Sequence, residues 1–199
     1  SGMRHDLKAM RAAVSPATRL IYVCNPNNPT GTLVSGAEVR EFIATLPREI
    51  TVLADEAYLE IASDMSEQSV VDRVRVGDNV IVARTFSKLH GLAGLRIGYA
   101  LARPDLIKRM AALKLVAVSS LGLAAASASY GDMQFQALSR KNLAAGVAIT
   151  TVALDELKLA YAPTRANFVF FDTGQPAAEF LAAMRQRGFS LGRPFPQYP

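Results

Sequence analysis

Asn79-Val80-Ile81-Val82-Ala83-Arg84-Thr85-Phe86-Ser87-Lys88-Leu89-His90-Gly91-Leu92-Ala93-Gly94-Leu95-Arg96-Ile97-Gly98-Tyr99 decides how the rest of the chain is read. Residues 79–83 are apolar and β-branched enough to predict a buried strand, so Lys88 emerges where a sheet ends and a glycine-rich loop begins. Open α/β sheets place their ligand crevices there. Lys88 is flanked by the hydroxyls of Thr85 and Ser87 and followed by Arg96. Such a set can hold a phosphate-bearing aldehyde as a Schiff base, once burial or neighbouring charge suppresses the amine's proton. An isolated Ser-Lys pair is ordinarily a solvated turn, so the remainder of the chain has to supply the rest of the site.

Upstream, the apolar run 50–53 leads straight into Asp55-Glu56-Ala57-Tyr58, and the run 19–24 leads into Asn25-Pro26-Asn27-Asn28-Pro29-Thr30-Gly31. Two prolines and a glycine forbid regular structure in the second loop. Between the runs, Ser35 and Glu38 form a capping-box pattern ahead of a helix to residue 46, with Val39, Phe42, Ile43 and Leu46 on one face. A further helix is predicted over 6–14 with Asp6 as its cap, and 63–77 mixes loop with a short helix. Strand, helix and strand in this order predict an α/β fold, a mainly parallel sheet flanked by helices.

Downstream, residues 95–101 read as a strand after the lysine loop. Pro104 heads a helix over 105–118 with apolar positions Leu106, Ile107, Met110, Leu113 and Val116. The alanine- and serine-rich stretch 119–131 suits close packing against another helix or subunit, and 134–157 reads as a helix. A strand over 167–171, an amphipathic helix over 176–187 and a short strand over 189–191 predict the beginning of a small α+β domain. The expected division is therefore a large-domain core over 4–132 and a partial small domain over 133–199.

The 199 residues, half of them hydrophobic and a fifth charged, suit a soluble globular chain. Its net charge of +5 comes from dispersed basic residues, which argues against nucleic acid and for a mildly basic surface that draws in anionic substrates. No run is long enough for a membrane span and no secretory signal pattern is present, so a cytoplasmic location is expected. Ser1-Gly2-Met3 reads as a short scar and is left out of the fold argument. A single cysteine, Cys24, and two histidines give no internal disulfide and no metal-ligand spacing. Cys24 is expected as a small buried hydrophobe, and His90, for which the sequence names no partner, as an exposed or packing histidine.

Three predicted strands thus end on polar loops bearing Asn28, Asp55 with Tyr58, and Lys88. A pyridoxal phosphate site needs a lysine for the aldehyde, a carboxylate for the pyridinium nitrogen, donors for the ring oxygen and ligands for the phosphate. These residues are of those types. Taken singly, Asp55 also suits a turn cap and Tyr58 a core aromatic.

On these blocks the chain resembles fold type I pyridoxal phosphate-dependent aminotransferases, most closely the histidinol-phosphate aminotransferase branch. The blocks are residues 25–31, 55–58, 85–88 and 94–98, with Pro163-Thr164-Arg165-Ala166-Asn167-Phe168 as a weaker match. The resemblance implies that Lys88 is the Schiff-base lysine and carries the proton between the substrate α-carbon and the cofactor. It further implies Asp55 on the pyridinium nitrogen, Asn28 and Tyr58 on the ring oxygen, and Thr85, Ser87 and Arg96 on the phosphate. Substrates would be an amino acid of histidinol-phosphate or aromatic type and a 2-oxo acid, handled by a homodimer. A decarboxylase or lyase of the same fold, or a non-catalytic fragment, is the alternative. The family's chains run longer at both ends, so this chain is expected to be truncated, without the arginine that clamps the substrate carboxylate.

Overall fold

The computed structural model describes residues 2–62, 64–113, 117–195 and 198. Its centre is a four-stranded sheet in the order β1 (Leu20–Cys24), β2 (Thr51–Asp55), β3 (Val80–Thr85) and β4 (Gly98–Ala102). The first three strands are parallel, with Cys24 opposite Asp55 and Asp55 opposite Ala83. Their carboxyl ends therefore lie side by side. β4 returns antiparallel, with Thr85 opposite Gly98, because only the lysine loop and one 3-10 turn (Ala93–Leu95) separate it from β3. A parallel return would need a crossover, usually a helix.

One face of the sheet is the main core. Ile21, Val23, Val52, Ala54, Val80 and Val82 are buried there against α1 (Leu7–Ala12), α2 (Gly36–Ala44) and α4 (Val71–Arg75), which contribute Leu7, Met10, Val39, Phe42 and Val74. Each such side chain contributes about 1.5–3 kcal/mol on leaving water. The other face is more open, with Leu20 and Tyr22 exposed by 54% and 52%. The expected capping box starts α2: Ser35 Oγ accepts from the Glu38 amide at 3.2 Å, and the Ser35 amide donates to Glu38 Oε2 at 3.0 Å. Asp6 caps α1 by accepting from the Ala9 amide at 2.8 Å. The polar segment before β3 forms α3 (Met65–Gln68) as well as α4.

Further along lie α5 (Pro104–Ala112), α6 (Ser120–Gly131), α7 (Met133–Glu156) and α8 (Ala177–Gln186). The helix expected over 105–118 is capped at Leu113; Val116 lies outside the described residues, and Val118 follows in exposed, non-helical chain. The small residues of α6 pack on the lysine loop: Ala126 is buried with Phe86 and Ile97.

Three expectations need correction. The strand placed at 95–101 starts only at Gly98, because Ala93–Leu95 closes a 3-10 turn and Arg96 is left-handed with φ 51°. Residues 167–171 form no strand of the sheet: Phe171 makes one antiparallel bridge with Tyr161, supported by Ala162 N to Phe170 O and Asp172 N to Ala160 O, each at 2.8 Å. Residues 189–191 are irregular. Both segments have strand-like composition without a neighbouring ladder, and pairing rather than propensity makes a strand.

Candidate active site

The three parallel strands deliver their polar loops to one edge of the sheet. The loop after β1 is pinned from within: Asn25 Nδ2 donates to the Val34 carbonyl at 2.8 Å, and the Val34 amide returns to Asn25 Oδ1 at 2.9 Å. Thr30 and Thr32, both buried, share a 2.8 Å hydroxyl contact. Gly31 has φ +73° and lies flat against Thr164, where a Cβ has no room, and its carbonyl accepts from the Arg165 amide at 2.7 Å. This close approach brings the segment around Phe168 to the site. The Phe168 ring meets the Tyr58 ring edge-on at 5.1 Å.

With the loop fixed, Asn28 Nδ2 donates to the Tyr58 hydroxyl at 3.0 Å. Lys88 Nζ lies 5.0 Å from the centroid of the Tyr58 ring, within cation–π range. Asn28, Tyr58 and Lys88 are therefore brought together from three separate loops. Tyr58 is also a core aromatic at 6% exposure.

Asp55 ends β2 on the open face of the sheet. Its Oδ1 accepts from the Ala57 amide at 3.0 Å, and its Oδ2 accepts from the Tyr22 hydroxyl at 2.7 Å. Asp55 thus does begin a turn, while its second oxygen faces Tyr22. Partial burial of the phenol and the hydrogen bond to Asp55 push the Tyr22 pKa well above the ordinary tyrosine value, so it remains a donor. Tyr22 escaped the sequence reading. The signal was strand alternation, since Cys24 pairs with Asp55 and Tyr22 sits two residues back.

Thr85 and Ser87 lie in the turn after β3. The Thr85 hydroxyl accepts from the Ser87 amide at 3.0 Å, a local bond that shapes the turn. Among the described residues the Ser87 hydroxyl has no hydrogen-bond partner. Arg96 is exposed, and its Nη1 donates to the Ala93 carbonyl at 2.9 Å, so one branch of its guanidinium serves its own loop. The structure joins Thr85 to Ser87, and among the described residues neither is hydrogen-bonded to Arg96.

Beneath these loops lies a buried ion pair that sequence reasoning passed over. Glu56 and Arg84 are 3% and 9% exposed, and Glu56 Oε2 accepts from Arg84 Nε at 3.0 Å and Nη2 at 2.8 Å. Ser69 Oγ and the Val70 amide satisfy the same carboxylate. Burial works against the Arg84 charge, but Glu56 beside it wins and raises the Arg84 pKa. The pair locks the residue after Asp55 to the residue before Thr85. Of the two expectations for His90 the packing one holds: it is 4% exposed, with Nδ1 2.8 Å from Ser129 Oγ and Nε2 3.9 Å from Glu60 Oε2, partners the sequence did not name. Cys24 is buried as expected, its thiol donating to the Pro26 carbonyl at 3.3 Å, and burial raises its pKa.

The donor set fits a phosphorylated pyridine aldehyde. An amine, a carboxylate with one oxygen turned to the open face, and a paired amide and phenol meet at one edge. A cavity of about 830 Å³ opens beside Asn28, lined among others by Phe168, Phe170, Phe195, Tyr198 and Arg193.

Residues 1–194 match the family model "Aminotransferase class I and II". The chain is 44% identical over 194 residues to an aromatic amino acid aminotransferase of Mycobacteroides abscessus, covering 96% of this chain and 55% of that protein. It is 41% identical over 198 residues to histidinol-phosphate aminotransferase 1 of Nitrosococcus oceani, covering 99% of this chain and 53% of that one. A crystal structure of histidinol-phosphate aminotransferase from Sinorhizobium meliloti in complex with pyridoxal-5'-phosphate superposes with a TM-score of 0.89 at 31% identity, over 96% of this chain and 54% of that one. The chain spans about half the length of the curated relatives it matches, and within that span it belongs to the class I and II aminotransferase family.

Proposed function

We propose that this chain is the cofactor-holding core of a pyridoxal phosphate-dependent aminotransferase, which moves an amino group between an amino acid and a 2-oxo acid. The observation that carries the reading is the meeting of Asn28, Tyr58 and Lys88 beside Asp55 at the carboxyl edge of the sheet. Pyridoxal phosphate, when bound, supplies an electron sink that makes an amino acid's α-proton removable.

Lys88 would hold the cofactor's aldehyde through Nζ, and the same amine would take the substrate's α-proton and return it. Asp55 would hold the pyridine nitrogen in its protonated form with its carboxylate, which the Ala57 amide and the Tyr22 hydroxyl keep in place. Asn28 Nδ2 and the Tyr58 hydroxyl, already bonded to each other, would donate to the ring oxygen and favour its anionic form. Thr85, Ser87 and the N–H groups of Arg96 that do not serve Ala93 would hold the phosphate. The core is proposed as 4–132 and the partial small domain as 133–199, with α7 leading from one to the other.

The names of both relatives support amino transfer over decarboxylation or elimination, and they support a donor of aromatic or histidinol-phosphate type. The aromatic cavity beside Asn28 suits the same donors. A cytoplasmic homodimer is proposed with it. Leu121, Leu123 and Tyr130 on α6, exposed by 76%, 53% and 62%, offer apolar surface for association. No helix among the described residues is long and apolar enough to cross a membrane.

The test is to titrate the 199-residue chain with pyridoxal phosphate, reduce with borohydride and locate the modified peptide. Stoichiometric labelling at Lys88, lost in Lys88→Ala, is expected. A folded chain that takes up no label at Lys88 rejects the reading in favour of a non-catalytic fragment.

A further inference from the structure

His90 follows Lys88 by two residues and Glu60 follows Tyr58 by two, and the two offsets meet. Lys88 Nζ stands 5.0 Å from the Tyr58 ring, and two residues further along each segment His90 Nε2 stands 3.9 Å from Glu60 Oε2. Both side chains are out of water, at 4% and 7% exposure. At 3.9 Å the two groups face each other at a distance too long for a hydrogen bond. The other imidazole nitrogen, Nδ1, is 2.8 Å from Ser129 Oγ on α6. Tyr99 donates to Glu60 Oε1 at 3.3 Å, and Phe86 packs on the imidazole at 4.7 Å between centroids.

α7 grips the same two segments with consecutive residues. Ser139 Oγ donates to the Leu89 carbonyl at 2.7 Å, and Arg140 Nε donates to the Glu60 carbonyl at 3.0 Å. The chain just past Lys88 and the chain just past Tyr58 are thereby tied to each other and to α6 and α7. A phenylalanine at position 90 would fill the same aromatic surroundings, yet would leave Glu60 and Ser129 without the imidazole.

We propose that His90 is a positioning residue for Lys88: with Glu60 and Ser129 it forms a buried clasp that sets the Lys88–Tyr58 spacing. The placement of Lys88 as the reactive amine rests on the function proposed above. The clasp itself concerns only the geometry around that amine. Displacements of about 1 Å at a reacting group cost on the order of 100-fold in rate, so a rigid support two residues away has a large lever.

The test measures Lys88 amine reactivity in the cofactor-free chain. Trace acetic anhydride labelling is quantified at Lys88 relative to the exposed Lys108 and Lys141. His90→Phe and Glu60→Leu, each confirmed folded by circular dichroism, are expected to change the ratio at least about three-fold. Their double variant should do no more than either alone. Glu60→Gln, which keeps the shape and the acceptor for Tyr99, should leave the ratio within about two-fold of the parent. Ser129→Ala gives the same direction if His90→Phe fails to fold. Val39→Ala, a core change in α2 remote from the clasp, lowers Tm without moving the ratio. An unchanged ratio in the clasp variants, or an equal change in Val39→Ala, overturns the proposal. A parallel pyridoxal phosphate and borohydride reaction on the parent chain tests the functional reading separately, since the anhydride ratio does not depend on cofactor uptake.

Discussion

The side-chain amide of Asn28 donates a 3.0 Å hydrogen bond to the phenolic oxygen of Tyr58, joining the loop after the first strand to the loop after the second. Nothing in either loop alone requires the contact. It exists because parallel pairing of β1 with β2 sets the two strand ends at one level. Under the proposed function, this pair presents two donors to one ligand oxygen. Tyr58→Phe and Asn28→Ala should each weaken pyridoxal phosphate binding about ten-fold, or about 1.4 kcal/mol. Equilibrium titration of both single variants and the double should show coupling of at least about 0.5 kcal/mol. Because the ring of Tyr58 keeps its edge-on packing with Phe168, Tyr58→Phe should leave Tm nearly unchanged.

The Glu56–Arg84 pair predicts a different phenotype, one of stability. Arg84→Met leaves the buried Glu56 carboxylate without its cation, and urea unfolding should show a loss of about 3–5 kcal/mol. Glu56→Gln should cost a similar amount by stranding the guanidinium. The double variant should lose clearly less than the sum, because no unpaired charge remains buried.

Gly31 sits at φ +73° against Thr164. Gly31→Ala meets both a left-handed backbone and a filled space, and should destabilise by more than about 1 kcal/mol in chemical denaturation. Adding Thr164→Gly should recover only the steric part, since the backbone penalty stays.

Tyr22 gives a prediction in alkali. Its folded pKa is raised by partial burial and by Asp55, whereas in the unfolded chain it titrates near the ordinary value of about 10. The resulting stability is complete below that value. It declines as pH rises above it, where the unfolded chain releases the proton first. Ultraviolet difference titration of the native chain against Tyr22→Phe should show the missing tyrosine ionising later than the others. A Tyr22 that ionises near the ordinary tyrosine value of about 10 would mean the Asp55 hydrogen bond is absent in solution.

The amino-acid sequence by itself determined the local elements and named the candidate residues. Apolar runs fixed the first three strands, Ser35 and Glu38 fixed the start of α2, and Pro104 opened α5. Such features depend on neighbours a few residues away, which a sequence displays directly. The candidate residues Asn28, Asp55, Tyr58 and Lys88 were legible for the same reason, as polar loops at predicted strand ends. What the tertiary structure alone decided involves partners remote in the chain. It turned β4 antiparallel and left residues 167–171 outside the sheet, because strand identity needs a ladder on the next strand. It gave Asp55 to Tyr22, Glu56 to Arg84 and His90 to Glu60 and Ser129. Those pairings depend on register, side-chain direction and desolvation, and these come into being only when the strands and helices meet.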